Sequence, residues 1–435
     1  MDSFLRVLLL EDYNTRLVVI GTVCLGIAAG AVGSLLLLRR RALIGDVISH
    51  ATLPGVGIAF LVMIAMGGTG RWSVGLLLGA LAAGLLAAGL VMLIRRTTLL
   101  RDDAAMALVM STAFGLGIVL LSIIQDLPTG NQAGLESIIY GKTASMVRGD
   151  AIGIGIAAVI VIIICACLYK EFRLLCFDEH FAGSQGWPTT LLDVVLLLLG
   201  AAVTVIGLQA VGLILVLAFL IIPAAAARYW TDQLRLMMFI ASGIGAASAW
   251  MGVTISAMVP RMPAGAIIVL VAATFFLLSL LFGRCRGLLV SFRLSLALRV
   301  RIHRQHLLRA IWECRETQSP VQLEQLLARR SWSPLQVQRL LARSARRGEL
   351  QIHSDQTIEL TPAGEEAAAR VVRNHRLWEL FLIRHADIAP SHVDRAADEI
   401  EHVLGVELVS ELESILAQDE TVPSSPHVLG TGGGN

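Results

Sequence analysis

In the stretch Gly45–Gly55, GDVISHATLPG, an aspartate and a histidine stand four residues apart, Asp46 and His50. On a helix that spacing projects both from one side, so that one ion or one water-filled path can touch both. The stretch follows three consecutive arginines, Arg39 to Arg41, and leads into an apolar run. Ionisable groups at membrane depth are costly and mark routes for ions or protons. A plainer arrangement also fits the spacing, with Asp46 capping the helix and His50 bonded to a neighbour. Carboxylate plus imidazole suits Mn, Fe or Zn better than an alkali ion, and two ligands require others from elsewhere. A second concentration of such groups lies near the C-terminus. His375 and Glu379 are four apart, while Asp394, Asp398, Glu401 and His402 follow at steps of three or four along one helical face. This cysteine-free set suits Mn²⁺ or Fe²⁺, and it also suits a solvated, charged face.

The elements that must position these groups are of two kinds. Apolar residues make up 56% of the 435-residue chain and charged residues 16%, and the mean hydropathy is +0.73, a balance far from that of a water-soluble domain. Nearly every apolar run precedes Arg284, and the remainder is crowded with Arg, Glu, Gln and His. A greasy body and a polar tail share one chain, so the net charge of +2 averages two unlike parts. The six cysteines, Cys24, Cys165, Cys167, Cys176, Cys285 and Cys314, show no metal-type CxxC spacing and read as free thiols. The first residues, MDSFLRVLLLEDYNTR, carry acids and no small-residue cleavage site, so no removable signal peptide is expected.

Apolar windows at 17–38, 47–67, 73–94, 104–124, 151–169, 191–208, 211–227, 237–258 and 265–283 each approach the ~20 residues that a spanning helix needs. The basic clusters Arg39–Arg41, Arg95/Arg96/Arg101, Lys170/Arg173, Arg228/Arg235 and Arg284/Arg286 all face the cytoplasm only if 191–227 holds two spans, split near GLQAVGL. That gives nine spans with the N-terminus outside. Between two of them, Asp178, Glu179 and His180, with Gly183, Gly186 and Pro188 breaking the chain, form a polar surface element. Pro223 and the alanines after it read as a kink or as a close-packing surface. No GxxxxGK[ST] phosphate loop occurs, so the chain is not its own P-loop ATPase, and no nucleophilic triad stands in a soluble context. An enzyme is not expected.

The order RRRALIGDVISHATLPGVGIAFL, FDEHFAGSQGWPTTLLD, LQAVGLILVLAFLIIPAAAARYW, PRMPAGAIIVL resembles the ABC-3 permeases, membrane subunits of importers for manganese, zinc and iron. The resemblance covers most of 15–285 and departs slightly at Pro263-Ala264-Gly265, where Pro-Ser-Gly is usual. It implies that the Asp46/His50 helix lines the metal path, that permease chains pair as a homodimer, and that the segment Phe177–Gly186, with Asp178, Glu179 and Gly186, docks on a separate ATPase. It further implies a bacterial inner-membrane location and an extracytoplasmic metal-binding protein as supplier. Manganese is the favoured substrate, with iron or zinc as alternatives, and no organic cofactor is expected.

Behind this body, 286–302 mixes arginines with Leu, Val and Phe, as a basic helix on the anionic lipid surface would, or an ordinary connecting helix. HLLRAIWECRE then reads as a helix, SPVQLEQLLARR as a second opened by Ser319 and Pro320, and SPLQVQRLLARSARRGEL as a third opened by Ser333 and Pro334. LQIHSDQTIEL alternates like a small hairpin. That order is a winged helix-turn-helix over 303–362, with Gln336, Gln338, Arg339 and Arg343, joined by Arg346 and Arg347, placed for DNA; a protein-docking or solvated helix fits as well. The following LTPAGEEAAARVVRNHRLWELFL and VDRAADEIEHVLG resemble the metal-binding and dimerisation region of DtxR/MntR-type repressors, here 363–418. The resemblance implies His375, Asp398, Glu401 and His402 as core ligands, and Glu379 and Asp394 as auxiliary ones. The acid at 398 leans towards manganese as regulatory ligand. Where manganese sensors place two acids on the first helix, this chain has His306, a ligand candidate, and Arg309, which has no lone pair to give. Residues 419–435 read as a disordered tail.

The expected whole is an all-α polytopic membrane bundle of 8–9 spans over 1–285, followed by a mainly α winged helix domain. Its function would be import of a divalent transition metal, with the tail as a cytoplasmic metal sensor. The alternative makes the tail a DNA-binding repressor, acting at the membrane or after proteolytic release.

Overall fold

The computed structural model describes residues 12–385, apart from 42, 69, 71, 128–145, 260, 261, 318–320, 330, 331 and 354–356. Its contacts divide the chain into two compact units, 1–291 and 292–435.

The first unit is helical because a bilayer offers no water to exposed amides, so each apolar segment must satisfy its backbone internally. Its helices are α1 (Tyr13–Leu38), α2 (Ile44–Ala65), α3 (Ser73–Thr97), α4 (Asp102–Gln125), α5 (Arg148–Cys167), the short α6 (Tyr169–Phe177) and α7 (Glu179–Ser184), then α8 (Thr189–Val211), α9 (Leu213–Arg228), α10 (Leu234–Met258) and α11 (Ala264–Phe282). Among the described residues eight of these, α1 to α5, α8, α10 and α11, are long and apolar enough to cross a membrane. The chain is a multi-pass membrane protein. Of the nine windows expected to span, the one at 211–227 forms α9, whose 16 residues make a helix about 24 Å long, shorter than the eight. The split of 191–227 falls at Gly212, where φ is +85°, a left-handed conformation that glycine alone adopts without strain.

Helix α1 is the hub. It packs against α5, α8, α9 and α10, while α2 packs with α3 and α4, and α8 touches both groups. Its apolar window is 72% buried, against 17% for α4 and α11, whose exposed Val119, Leu270 and Leu277 make a lipid-facing surface. Small residues let α1 come so near its neighbours: a Cβ on Gly26 would lie 2.7 Å from the Gly245 carbonyl oxygen, and one on Gly30 would lie 2.6 Å from that of Ala241. Such stripes replace the hydrophobic drive that is absent between helices in lipid.

Helix α12 (Leu288–Thr317), most of which falls in the second unit, is one continuous helix, so the expected basic linker and the first tail helix are not separate elements. Strand β1 (Val321–Gln322), α13 (Leu323–Arg329), α14 (Pro334–Arg346), β2 (Leu350–Ile352), β3 (Thr357–Leu360) and α15 (Pro362–His385) follow. The second tail helix thus begins at Leu323 and not at Pro320. Val321 and Gln322 pair instead with Ile358 and Thr357, completing an antiparallel sheet of order β1-β3-β2. Pairing satisfies a backbone that one more helical turn would have left at the sheet's open edge. Leu307, Ile311, Leu326, Val337, Leu341, Leu350 and Ile358 form the core. Helix α14 starts as expected: Ser333 Oγ accepts from Gln336 N, and Gln336 Oε1 accepts from Ser333 N at 3.0 Å, a capping box.

The α1 contact gives a first prediction. Gly30→Leu should lower stability by about 1–3 kcal/mol and cut the yield of monodisperse protein, whereas Gly89→Leu, with nothing within 4 Å of its Cβ position, should not. Thermal unfolding followed by size exclusion checks both.

Candidate functional site

Asp46 lies in the first turn of α2, and the residue at the N-cap position is Leu43, with no side-chain cap. Asp46 is therefore not the cap; its Oδ1 sits 3.3 Å from His50 Nε2. The two side chains are half-buried, 29% and 24% exposed. Phe114 of α4 stands edge-on to the imidazole, with ring centroids 5.2 Å apart. Four residues beyond His50 comes Pro54, inside the helix. Proline has no N–H to donate, so the His50 carbonyl lacks its usual intrahelical partner. A carboxylate and an imidazole thus pair on one face of α2, donor types suited to a divalent transition ion, and a released carbonyl lies on the same helix. Among the described residues no group of three His, Cys, Asp or Glu side chains could hold a metal, so the pair supplies two side-chain donors there.

The segment 177–186 is α7 with its flanks. Asp178 caps the helix, accepting from Phe181 N at 2.8 Å, and Gly186 turns the chain at φ +81°. Glu179, partly exposed, reaches back to the end of α1, its Oε2 accepting from Arg39 NH2 at 3.0 Å. Two of the acids expected at a docking surface are thereby engaged, and the exposed large side chains are Phe177, Phe181 and Trp187. Sequence reading singled out the charges and passed over these aromatics, although their interleaving with Gly and Pro was visible. Beside them, Tyr169, Lys170, Arg173, Phe177, Trp187 and Asp232 line an open cleft of about 910 Å³.

Arg39 is the residue that sequence reading missed. At the end of α1 it donates from NH1 to the Leu175 carbonyl at 3.0 Å and from NH2 to Asp193 Oδ2 at 2.9 Å, besides its bond to Glu179. Arg41 NH2 donates to the same Asp193 oxygen at 2.9 Å. Burial opposes the charge on Arg39, but Asp193 and Glu179 outweigh it and raise its pKa above the ordinary value. Burial, with Arg39 and Arg95 nearby, lowers that of Arg41 against the pull of Asp193. Burial alone would raise the Glu179 pKa, yet the Arg39 hydrogen bond and charge hold it below the usual carboxylate range. An arginine run reads from sequence as membrane-edge charge, and its partner Asp193, 154 positions later, is not signalled by local spacing.

In the winged helix, Gln336, Gln338, Arg339, Arg343, Arg346 and Arg347 are all exposed on α14 or its end, and Gln336 is held in the capping box. On α12, buried Arg309 pairs with Glu313 at 2.6 Å and lies 3.0 Å from His375 Nδ1 through NH1. Guanidinium can only donate, so Nδ1 accepts and the imidazole carries its proton on Nε2. His306 is on the same helix, partly exposed. The side chain of Glu379, and Asp394, Asp398, Glu401 and His402 altogether, lie outside the described residues.

The ABC 3 transport family profile matches residues 11–283. The chain belongs to the ABC 3 transport family. A second profile, the metal binding and dimerisation domain of iron dependent repressors, matches 361–427. The manganese transport system membrane protein MntC of Bacillus subtilis is 36% identical over 388 residues, 89% of this chain and 88% of its own length. That span exceeds the membrane unit and so continues into the tail. The zinc transport system membrane protein TroC of Treponema pallidum is 39% identical over 66% of this chain and 95% of its own. Among solved structures, PsaBC from Streptococcus pneumoniae in complex with Fab superposes with a TM-score of 0.56 at 30% identity, over 66% of this chain and 97% of that one.

These ABC 3 relatives are named as transport membrane proteins. Within this ABC 3 chain the tail departs from the expected metal sensor at His375, the one expected core ligand among the described residues. A divalent ion on His375 Nδ1 would need the lone pair that Arg309 already holds and would sit against a buried guanidinium, so the residues there do not fit a metal. Removing that cation should open the site. Full-length Arg309→Ala in detergent should bind Mn²⁺ at least about tenfold more tightly than the parent by calorimetry, at about 1.4 kcal/mol per tenfold; unchanged binding would show that Arg309 does not exclude the ion.

Proposed function

We propose that this chain is the permease subunit of an ATP-driven importer of a divalent transition metal, manganese first, with iron and zinc as competitors. Two such chains pair in a bacterial inner membrane, an extracytoplasmic binding protein delivers the ion, and a separate ATPase docks on α7 and its aromatic flanks. The winged helix unit lies in the cytoplasm. The observation that carries this reading is the Asp46–His50 pair on α2, a carboxylate and an imidazole 3.3 Å apart on a helix long and apolar enough to cross a membrane. The manganese and zinc relatives support the class of ion, and manganese is preferred because the relative that continues into the tail is named for it. The absence of a phosphate loop from the sequence supports hydrolysis by another chain.

In the reconstituted importer, Asp46→Asn and His50→Ala should each reduce radiolabelled Mn²⁺ uptake more than about tenfold, with normal membrane insertion. Uptake at the parental rate in both would remove these residues from the path.

A second reading concerns the tail alone. The exposed Arg339, Arg343 and Arg346 lie at helical spacing on α14, the second helix of a helix-turn-helix, and support DNA binding by the fused unit. Detergent-solubilised chain should then bind operator-sized duplexes with an affinity that falls steeply with salt, by a log–log slope of about −0.9 per phosphate contacted. Arg339→Ala should make that slope shallower by about one. Binding that ignores both salt and Arg339 would leave α14 as a protein-docking helix.

A further inference from the structure

Four segments meet at the arginine-rich end of the bundle: the end of α1, the last turn of α6, α7 and the first turn of α8. One side chain bonds to the other three. Arg39, 9% exposed at its side chain, reaches the Leu175 carbonyl on α6, Glu179 on α7 and Asp193 on α8. The same Asp193 oxygen also takes Arg41, which lies five residues before Asp46.

This network is built at a cost. Arg40, between the two inward arginines, has φ +56°, the positive-φ non-glycine residue among those described. A strained residue of this kind persists where its surroundings hold it and clusters at switch regions; here it separates two side chains that converge on one carboxylate. The pairing is also incomplete. Two guanidinium groups share Asp193 Oδ2, while Asp193 Oδ1, Arg39 Nε and Arg41 NH1 are buried with no hydrogen-bond partner among the described residues. Buried polar atoms left so are uncommon and call for an explanation. The unused acceptor and the two unused donors belong to the same three side chains, so they complement one another. A small turn of the carboxylate, or a displacement of α7 that draws Glu179 away, would exchange the present set of bonds for a second one.

We propose that Arg39, held on Asp193, is the positioning residue that couples ATP hydrolysis to the transport path. The proposal rests on the reading of α7 as the ATPase-docking helix. Movement imposed on α7 pulls Glu179, Glu179 pulls Arg39, and the shared Asp193 passes the change to Arg41 and the short connection into α2. That helix carries Asp46 and His50 in its first two turns. A two-arrangement element biased from both ends is the physical requirement for such coupling, and the spare donors and acceptor define the second arrangement.

The test uses the whole importer in liposomes and reads three quantities: ATPase retained on purification, ATP hydrolysed, and Mn²⁺ taken up per ATP. Arg39→Gln should keep the ATPase bound and hydrolysing, while uptake per ATP falls at least about tenfold. Arg39→Lys, which keeps the charge but has no fork to reach three acceptors, lies outside the docking helix, should lower uptake per ATP in the same way, and serves if the glutamine change prevents folding. Phe181→Ala tests the docking reading by itself: loss of the ATPase supports it, and full retention refutes it whatever the other variants do. Uptake per ATP within twofold of the parent in both Arg39 variants would overturn the coupling role. Loss of the ATPase from either Arg39 variant would also overturn it, by making the network a support of the docking surface only.

Discussion

The membrane unit depends on how closely α1 approaches its neighbours. Gly26 faces the backbone of Gly245, Gly30 that of Ala241, and Gly33 that of Leu220, so the hub touches α9 and α10 through main chain with almost no side chain between. Lipid supplies no hydrophobic drive between helices, and dispersion at short range has to serve instead. The consequence reaches the polar end. A hub fixed this tightly along its length holds its C-terminus where Arg39 and Arg41 can meet Asp193, and α2 then leaves from a defined point. The path-lining candidates Asp46 and His50 inherit their placement from a stripe of glycines that carries no chemistry.

Much of this was legible in the sequence because membrane physics is read one segment at a time. Hydropathy windows report length locally, and they fall on each of the long helices of the bundle and on α9, including the break at Gly212, but carry no sign of the short α6 and α7. The Ser333-Pro334 start of α14 was legible for the same reason, since a capping box closes within four residues. Ser319-Pro320 carried a similar local signal, but the chain there answers to a partner 37 positions away: Val321 pairs with Ile358, and a ladder bond outweighed a helical start. The Asp46–His50 pair was legible as an i, i+4 spacing. The Arg39–Asp193 junction was not, because a buried ion pair between distant segments leaves no periodicity.

The two units treat buried charge alike. In the bundle, arginines converge on Asp193; in the tail, Arg309 lies between Glu313 and His375. A buried guanidinium is tolerated only when paired and hydrogen-bonded, and arginine suits the task because its fork reaches several acceptors at once. In the tail this places a permanent cation beside an imidazole that resembles a sensor ligand. The unit therefore keeps the arrangement around His375 with a charge supplied by its own chain.

Helix α9 has a further consequence, one of hydrophobic mismatch. A rod of about 24 Å is several ångströms short of the ~30 Å hydrocarbon layer, and an isolated helix of that length would thin the bilayer around it. Here the shortfall is not presented to lipid, since Leu215, Val216, Phe219, Ala224 and Ala227 are buried and α1, α10 and α11 pack around it. The outward-facing α4 and α11 set the thickness that the membrane senses. The shortest apolar helix is thereby insulated from acyl-chain length by the helices that pack around it.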